Sequence, residues 1–121
     1  MSEEPSLKPL IWVGTSRVDL REFPDPVQDH VGYALYVAQR GGKHRDSKVL
    51  RGFGGAAILE VISDFRGDTF RAVYTVRFAG TVYVLHAFQK KSKTGSETPR
   101  RDIELIQQRL REAEQIAGGR D

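Results

Sequence analysis

Three β-segments joined by very short connections constrain the fold of this chain more than any other feature. They cover residues 56–65, 70–78 and 81–91, and "RGDT" and "AG" join them at lengths typical of hairpins. Segments connected in this way pair with their neighbours, so the sequence predicts an antiparallel meander. The last segment is apolar at successive positions, which predicts a central strand that is buried on both faces.

Two helical patterns precede the meander. "SRVDLREF" predicts a short helix with Ser16 as its N-cap, and a second helix follows from Asp25 to Gly41. Pro24 separates the two, so we expect a helical hairpin. The stretch "LIWVGTS" at residues 10–16 is rich in β-forming residues and predicts an N-terminal strand.

A third helix ends the chain. It begins at Pro99 with Thr98 as N-cap, and its apolar residues recur every three or four positions to form one amphipathic stripe. Residues 43–55, in contrast, are polar and Gly-rich and predict a connection. The resulting order is β-α-α-β-β-β-α. The sequence therefore predicts an α+β fold with an antiparallel sheet of about four strands.

Length and composition limit the class of protein. A chain of 121 residues predicts one domain over residues 1–121, with flexible ends at 1–8 and 117–121. The absence of Cys excludes thiolate nucleophiles and disulfides. The N-terminus does not resemble a secretory signal, and no apolar run approaches the roughly 20 residues of a membrane span. We expect a cytoplasmic protein that does not contact a membrane.

The sequence lacks the usual signatures of metal and cofactor sites. Its three histidines, His30, His44 and His86, lie in different predicted elements, without HxxH or HxH spacing. The stretch "RGFGG" lacks the GK[ST] ending of a P-loop, and no GxSxG motif occurs. The sequence therefore predicts neither a bound metal ion nor a cofactor.

Positive charge is concentrated after the last β-segment. The net charge of the chain is +3, yet residues 89–101 alone hold five Lys or Arg against one Glu. Such local basicity is typical of a site that faces an anion. A solvated loop would explain the same run of charges, so both interpretations stay open at this point.

Side-chain alternation predicts which candidate residues share a face of the sheet. The residues expected on one face of the last strand are Val82, Val84, His86, Phe88 and Lys90. On the middle strand, Arg71 and Arg77 fall on a common face. His86 and Lys90 would then line one groove without touching each other.

Arg71 and His86 each allow a structural interpretation beside a functional one. An arginine in a strand of core-type residues needs a partner, which is either a carboxylate on the preceding strand, Glu60 or Asp64, or a bound anion. His86 is either a hydrogen-bonded core residue or a proton carrier. The sequence leaves both alternatives open for each residue.

The cationic residues fit phosphodiester chemistry. Arg donates two parallel hydrogen bonds to phosphate oxygens, Lys supplies a compact charge, and RNA carries its own nucleophile in the 2′-OH. Arg71, His86, Lys90 and Lys91 therefore fit metal-free RNA cleavage to a 2′,3′-cyclic phosphate, with His86 or Lys90 moving the proton. The same residues fit RNA binding without cleavage equally well.

Three stretches of the chain resemble the RelE/HigB toxin superfamily, in particular its phage-derived HigB-like branch. They are "VLRGFGG", "GDTFRAVYTVRF" and "VYVLHAFQKKSKTGSETPRRDIE", and the resemblance spans about residues 10–112. It implies the toxin of a type II toxin–antitoxin system, an endoribonuclease that cleaves mRNA on the ribosome. The implied partner is a small cognate antitoxin, often a helix-turn-helix protein, in a hetero-oligomer, or the toxin forms a homo-oligomer.

The resemblance also implies roles for individual residues. Arg71 corresponds to the phosphate-contacting arginine of the middle strand, and Lys90 and Lys91 occupy the basic end of the last strand. Arg51 lies in the loop that borders the RNA site. The residues expected to bind RNA are Arg51, Arg77 and Lys93.

The chain departs from the family pattern in two places. It has "ILEVISD" where relatives often carry basic residues, and it has no Tyr after Tyr83. Two alternatives to a nuclease therefore remain. One is a gyrase-directed inhibitor of the ParE type, which shares the fold, and the other is a phage-derived accessory binding protein.

Overall fold

The computed structural model describes residues 6–55, 57–78, 80–90 and 98–119. The elements are β1 (Leu10–Trp12), α1 (Ser16–Arg21), α2 (Asp25–Gln39), β2 (Ser47–Val49), β3 (Ile58–Phe65), β4 (Asp68–Thr75), β5 (Val82–Lys90) and α3 (Arg100–Gly118). Lys91, Lys93 and parts of the predicted flexible ends lie outside the described residues. The predicted α+β class and the order of its elements are confirmed, with one added strand, β2.

The strands form one mixed sheet in the order β1-β5-β4-β3-β2. The predicted meander is confirmed, since β3, β4 and β5 pair in antiparallel fashion. β1 runs parallel to β5, and α1 and α2 carry the chain from β1 at one edge of the sheet to β2 at the opposite edge. The prediction of about four antiparallel strands is corrected to five strands with one parallel pair.

Strand β2 is the element that the sequence did not reveal. It pairs with β3 through Ser47 opposite Val61 and Val49 opposite Leu59, within the region predicted to be a connection. A strand of three residues is too short to show a period of two, and only its pairing with β3 defines it.

Helices cover both faces of the sheet. Helices α1 and α2 pack on one face with an apolar stripe that includes Leu20, Val31 and Leu35, and α3 packs on the other through Ile106 and Ala113. The interior therefore consists of two apolar clusters separated by the sheet. Within the described ranges, no helix is long and apolar enough to cross a membrane.

The first helix is capped by a different residue from the one predicted. Thr15 is the N-cap of α1, and its hydroxyl donates to Asp19 Oδ2 at 2.8 Å. The predicted cap, Ser16, is fully buried and donates to the carbonyl of Val84 at 3.1 Å. Its hydroxyl therefore serves the contact between α1 and β5 rather than the helix terminus.

A β-bulge interrupts the pairing of β4 with β5. Tyr74 lies opposite Val84, but the next pair joins Val73 to His86, so Leu85 is an extra residue in β5. An extra residue reverses the alternation of the side chains that follow it. The bulge therefore determines the face of the sheet to which the second half of β5 points.

The predicted faces of β5 are wrong because of this bulge. Val82 and Val84 belong to the cluster under α1 and α2, as does Ala87, whereas Phe88 packs in the cluster under α3. His86 contacts α3 as well. The expectation that Val82, Val84, His86, Phe88 and Lys90 share one face is corrected: the last three point to the α3 side, opposite to the two valines.

Arg109 of α3 donates a hydrogen bond to the backbone at the bulge. Its Nη1 donates to the carbonyl of Leu85 at 3.0 Å, and its Nη2 donates to Thr15 Oγ1 at 2.9 Å. Gly14 has a φ of +60°, a backbone conformation that favours glycine, and a Cβ at this position would lie 2.6 Å from Arg109 Nε. Glycine therefore fits both the backbone conformation and the space beside Arg109. Arg109 thus joins α3, β5 and the turn before α1.

We expect Arg109→Met to lower the free energy of unfolding by about 1.5–3 kcal/mol, because the variant leaves the Leu85 carbonyl without its charged donor. Arg111→Met on the same helix is the matched control, since Arg111 is exposed, and it should change stability by about 0.5 kcal/mol or less. Urea unfolding measures both values. Equal stability of the two variants would show that Arg109 does not support the bulge.

Candidate functional site

An open groove lies on the α3 side of the sheet, where α3 packs on β5 and the strands from β4 to β2 extend beyond it. Its volume is about 710 Å³. The lining residues are Lys48, Val49, Leu50, Arg51, Glu60, Ile62, Arg71, Thr98 and Ile103. The groove therefore brings together side chains from β2 to β4 and from the start of α3.

The register of the sheet explains why the charged side chains meet. Lys48 lies opposite Glu60 across β2 and β3, and Arg71 lies opposite Ile62 across β3 and β4. Directly opposed residues point to the same face, and Glu60 and Ile62 are two residues apart on one strand. Lys48, Glu60 and Arg71 therefore all point towards the groove.

Arg71 and Glu60 form an ion pair at the floor of the groove. Arg71 Nη1 donates to Glu60 Oε2 at 3.1 Å and to Oε1 at 3.4 Å. Only 4% of Arg71 and 8% of Glu60 are exposed, and a buried charge is stable only with a partner. The carboxylate partner anticipated for Arg71 is thus present, and it fixes a cation in a groove that is open to solvent.

Lys48 and Arg51 add exposed positive charge at the rim. Lys48 is carried by the edge strand β2, and Arg51 follows that strand by two residues. Together with Arg71 they place three cations in the lining against the one carboxylate of Glu60. The groove is therefore positively charged and suited to an anionic ligand.

His86 forms a buried pair with Asp102 in the first turn of α3. Its Nε2 donates to Asp102 Oδ1 at 2.7 Å, and its ring stacks on Phe88 with centroids 4.6 Å apart. Nδ1 is buried and has no hydrogen-bond partner within the described part of the chain. His86 is not one of the groove-lining residues in the described ranges, and the contacts observed for its ring are the hydrogen bond to Asp102 and the stacking on Phe88.

The other candidate residues lie at different places. Lys90 lies opposite Thr69 at the end of β5, two residue pairs beyond the Arg71–Phe88 pair and on the same face. Arg77 lies beyond the opposite end of β4 and donates to the carbonyl of Phe53 at 3.1 Å, which places it away from Arg71. Lys91 and Lys93 fall outside the described residues.

Two of the three histidines come together on the other side of the sheet, although they belong to different elements of the chain. His30 Nε2 is 2.8 Å from Asp46 Oδ2, and His44 Nδ1 is 3.9 Å from the same oxygen. The hydrogen bond from His30 lowers the pKa of Asp46 below its usual value. No local pattern in the sequence predicts this cluster, because α2 and the loop before β2 meet only in the folded chain.

Comparison with known proteins assigns the family. The family model described as "Phage derived protein Gp49-like" matches residues 18–111, which include all of the chain from within α1 to within α3. The chain belongs to this Gp49-like family. The family is of the RelE/HigB toxin type, so the resemblance that the sequence suggested is confirmed.

Among solved structures, the Gp49-like protein is similar to a chain of the toxin–antitoxin complex RelBE2 from Mycobacterium tuberculosis. The two share 19% identity with a TM-score of 0.47, and the match covers 75% of this chain and 100% of that chain. A comparison with curated proteins found no match.

Two groove residues of the Gp49-like protein were not found from the sequence. Lys48 was assigned to a polar connection, and the hydrophobic pair Val49 and Leu50 beside it was the only local sign of a strand. Glu60 was considered only as a partner for Arg71, because its strand was expected to be structural. The pairing of β2 with β3 shows that both residues point towards the groove.

We expect His86 to reduce stability at acid pH. Burial lowers the pKa of His86 below its usual value of about 6.5, although the hydrogen bond to Asp102 opposes the shift. Since the unfolded chain then binds the proton at a higher pH than the folded chain, the free energy of unfolding should fall as the pH drops below about 6.5.

Urea unfolding between about pH 7.5 and about pH 5 measures this effect. The matched variant is His86→Gln, whose amide can still donate to Asp102 but does not titrate. Its stability should depend less steeply on pH than that of the unmodified protein. Identical slopes for the two proteins would contradict the assignment of a neutral buried His86.

Proposed function

We propose that this Gp49-like protein is the toxin of a type II toxin–antitoxin system and acts as a ribosome-dependent mRNA endoribonuclease. The observation that carries this proposal is the groove, in which Arg71, Lys48 and Arg51 face one open space. RNA supplies the 2′-OH nucleophile, so a protein with this groove needs to orient the phosphate, accept one proton and donate another.

Arg71 is proposed to hold the scissile phosphate. Its guanidinium is fixed by Glu60 before RNA arrives, so little reorganisation is needed as negative charge builds on the phosphorane. Lys48 and Arg51 at the rim would contact the flanking phosphates, where exposed and mobile charges are sufficient. We assign Lys93 to the same contacts with the phosphates of the RNA. Arg77 lies away from Arg71 and is assigned to RNA far from the scissile phosphate.

Glu60 is the proposed general base, because it is the carboxylate among the described groove residues. It would take the proton of the 2′-OH as the 2′-oxygen attacks phosphorus. The bond from phosphorus to the 5′-oxygen then breaks, and the leaving oxygen takes a proton from Lys90 at the end of β5 or from Lys91, the next residue in the sequence. The products are a 2′,3′-cyclic phosphate and a 5′-hydroxyl.

His86 is proposed as a positioning residue rather than the proton carrier. Its bond to Asp102 holds the first turn of α3 against β5, and Thr98 and Ile103 on either side of that turn line the groove. Its stacking partner Phe88 lies opposite Arg71. The His86–Asp102 pair would thus keep one wall of the groove at a constant distance from Arg71.

The proposed partners follow from this activity. The ribosome would present the mRNA, and both are found in the cytoplasm, which is the location we propose. A small cognate antitoxin, in a hetero-oligomer with the toxin, would neutralise the activity, as expected for a toxin of the RelE/HigB type.

Purified ribosomes programmed with a defined mRNA test the proposal. We expect cuts within codons in the ribosomal A site, with cyclic phosphate ends. Lys48→Gln and Arg51→Gln should each slow cleavage by about tenfold, as for the loss of one charged phosphate contact. Arg40→Gln is the matched control, because Arg40 follows α2 on the other side of the sheet, and it should cleave normally.

Other outcomes of the same experiment would contradict the proposal. Intact mRNA together with loss of DNA supercoiling by gyrase would support the gyrase-directed alternative. Intact mRNA and normal growth on induced expression would support an accessory binding protein. Equal loss of cleavage in Arg40→Gln and Arg51→Gln would remove the groove from the mechanism.

Glu60→Gln tests the general base separately. The amide can still accept a hydrogen bond from Arg71, so we expect a folded protein whose cleavage is slower by about 10²–10⁴-fold. Asp64→Asn on the same strand is the control, since Asp64 is exposed and bonded to Thr69. Single-turnover cleavage on the ribosome measures both, and normal cleavage by Glu60→Gln would exclude Glu60 as the base.

A further inference from the structure

A second cluster of polar side chains lies outside the groove, on the face of the sheet that carries α2. It consists of His30 on α2 together with His44 and Asp46 in the loop before β2. One ligand atom from each residue lies within 4.8 Å of the other two. The proposed RNA chemistry uses none of these residues.

The spacing of the three ligand atoms fits a single metal ion. His30 Nε2 and Asp46 Oδ2 are 2.8 Å apart, and His44 Nδ1 and Asp46 Oδ2 are 3.9 Å apart. Atoms bound to one tetrahedral ion lie about 3.4 Å apart when the metal–ligand bonds are about 2.1 Å. The two spacings to Asp46 lie on either side of this value, and the two histidine nitrogens lie within 4.8 Å of each other. Movements of the side chains alone would bring the three atoms to one ion.

The surroundings of His30 favour a metal ligand. Its Nδ1 is 2.7 Å from the hydroxyl of Ser63 on β3, and Ser63 is buried. In the metal-free chain Nε2–H donates to Asp46 Oδ2, so Nδ1 accepts from the Ser63 hydroxyl. An ion bound at Nε2 would displace that proton, and the Ser63 hydroxyl can then accept from Nδ1–H. An imidazole held in this way by a second polar group is the arrangement that orients most histidine ligands.

His44 is also held in place with a nitrogen directed at the cluster. The backbone N–H of Asp46 donates to His44 Nδ1 at 3.0 Å, which identifies Nδ1 as the unprotonated nitrogen. The ring of Tyr33 packs edge-on against the His44 ring, with centroids 5.5 Å apart. The Asp46 N–H engages this lone pair in the metal-free chain, so an ion bound at Nδ1 would replace that hydrogen bond.

We propose that His30, His44 and Asp46 form a binding site for a divalent transition-metal ion of the zinc type. Two imidazoles and one carboxylate suit Zn²⁺, Co²⁺ or Ni²⁺ rather than Mg²⁺ or Ca²⁺, which prefer oxygen ligands. Side-chain exposures of 30% for His30 and 41% for Asp46 give the ion access from solvent and leave a coordination position for water. A bound ion would tie the loop before β2 to α2.

Titration of the full chain with Co²⁺ and Zn²⁺ tests this proposal. We expect one equivalent of Co²⁺ to produce a visible d–d absorption spectrum that Zn²⁺ abolishes. In NMR spectra of the ring nitrogens, Zn²⁺ should shift the signals of His30 and His44 but leave those of His86 unchanged. His86 is thus an internal control that requires no mutation.

Variants of the ligands complete the test. Asp46→Asn, at a half-buried position, should weaken Zn²⁺ binding by about tenfold or more without unfolding the chain, and Ser63→Ala should weaken it by about tenfold. Asp25→Asn, on α2 but outside the cluster, should bind normally. Lack of binding at about 100 μM Zn²⁺, equal shifts at all three histidines, or unchanged affinity in Asp46→Asn would each overturn the proposal.

Discussion

The contact between Arg109 and the carbonyl of Leu85 is the interaction on which the arrangement of this protein most depends. Leu85 is the extra residue of a bulge, so its carbonyl falls outside the β4–β5 ladder, and Arg109 supplies the missing donor. The bulge turns His86, Phe88 and Lys90 to the α3 side of the sheet. Without it, the second half of β5 would present these residues to α1 and α2 instead.

The groove depends on how α3 is anchored. Arg109 fixes the middle of α3 and the His86–Asp102 pair fixes its first turn, and both contacts are made to β5. Helix α3 therefore lies over β5, and the charged residues of β2, β3 and β4 remain beside it. Arg71 can be buried there because Glu60 compensates its charge, and this pairing keeps a cation ready in a fixed position.

The sequence predicted the fold well and the site in part. Hairpin-length connections and helical periodicity are local signals, so the meander, the helices and the place of Arg71 on a strand could be predicted. The bulge could not, because its donor, Arg109, lies 24 residues further along the chain. Strand β2 and the meeting of His30 with His44 likewise depend on pairing across the sheet, which leaves no periodic trace in the sequence.

The central claim is that the groove beside α3 receives mRNA. Crosslinking on the ribosome tests it most directly, with an mRNA whose scissile nucleotide lacks the 2′-OH so that the complex persists. Ultraviolet crosslinks identified by mass spectrometry should map to peptides that contain residues 48–53 and 98–103. Crosslinks confined to peptides of α1 and α2, on the opposite side of the sheet, would contradict the account.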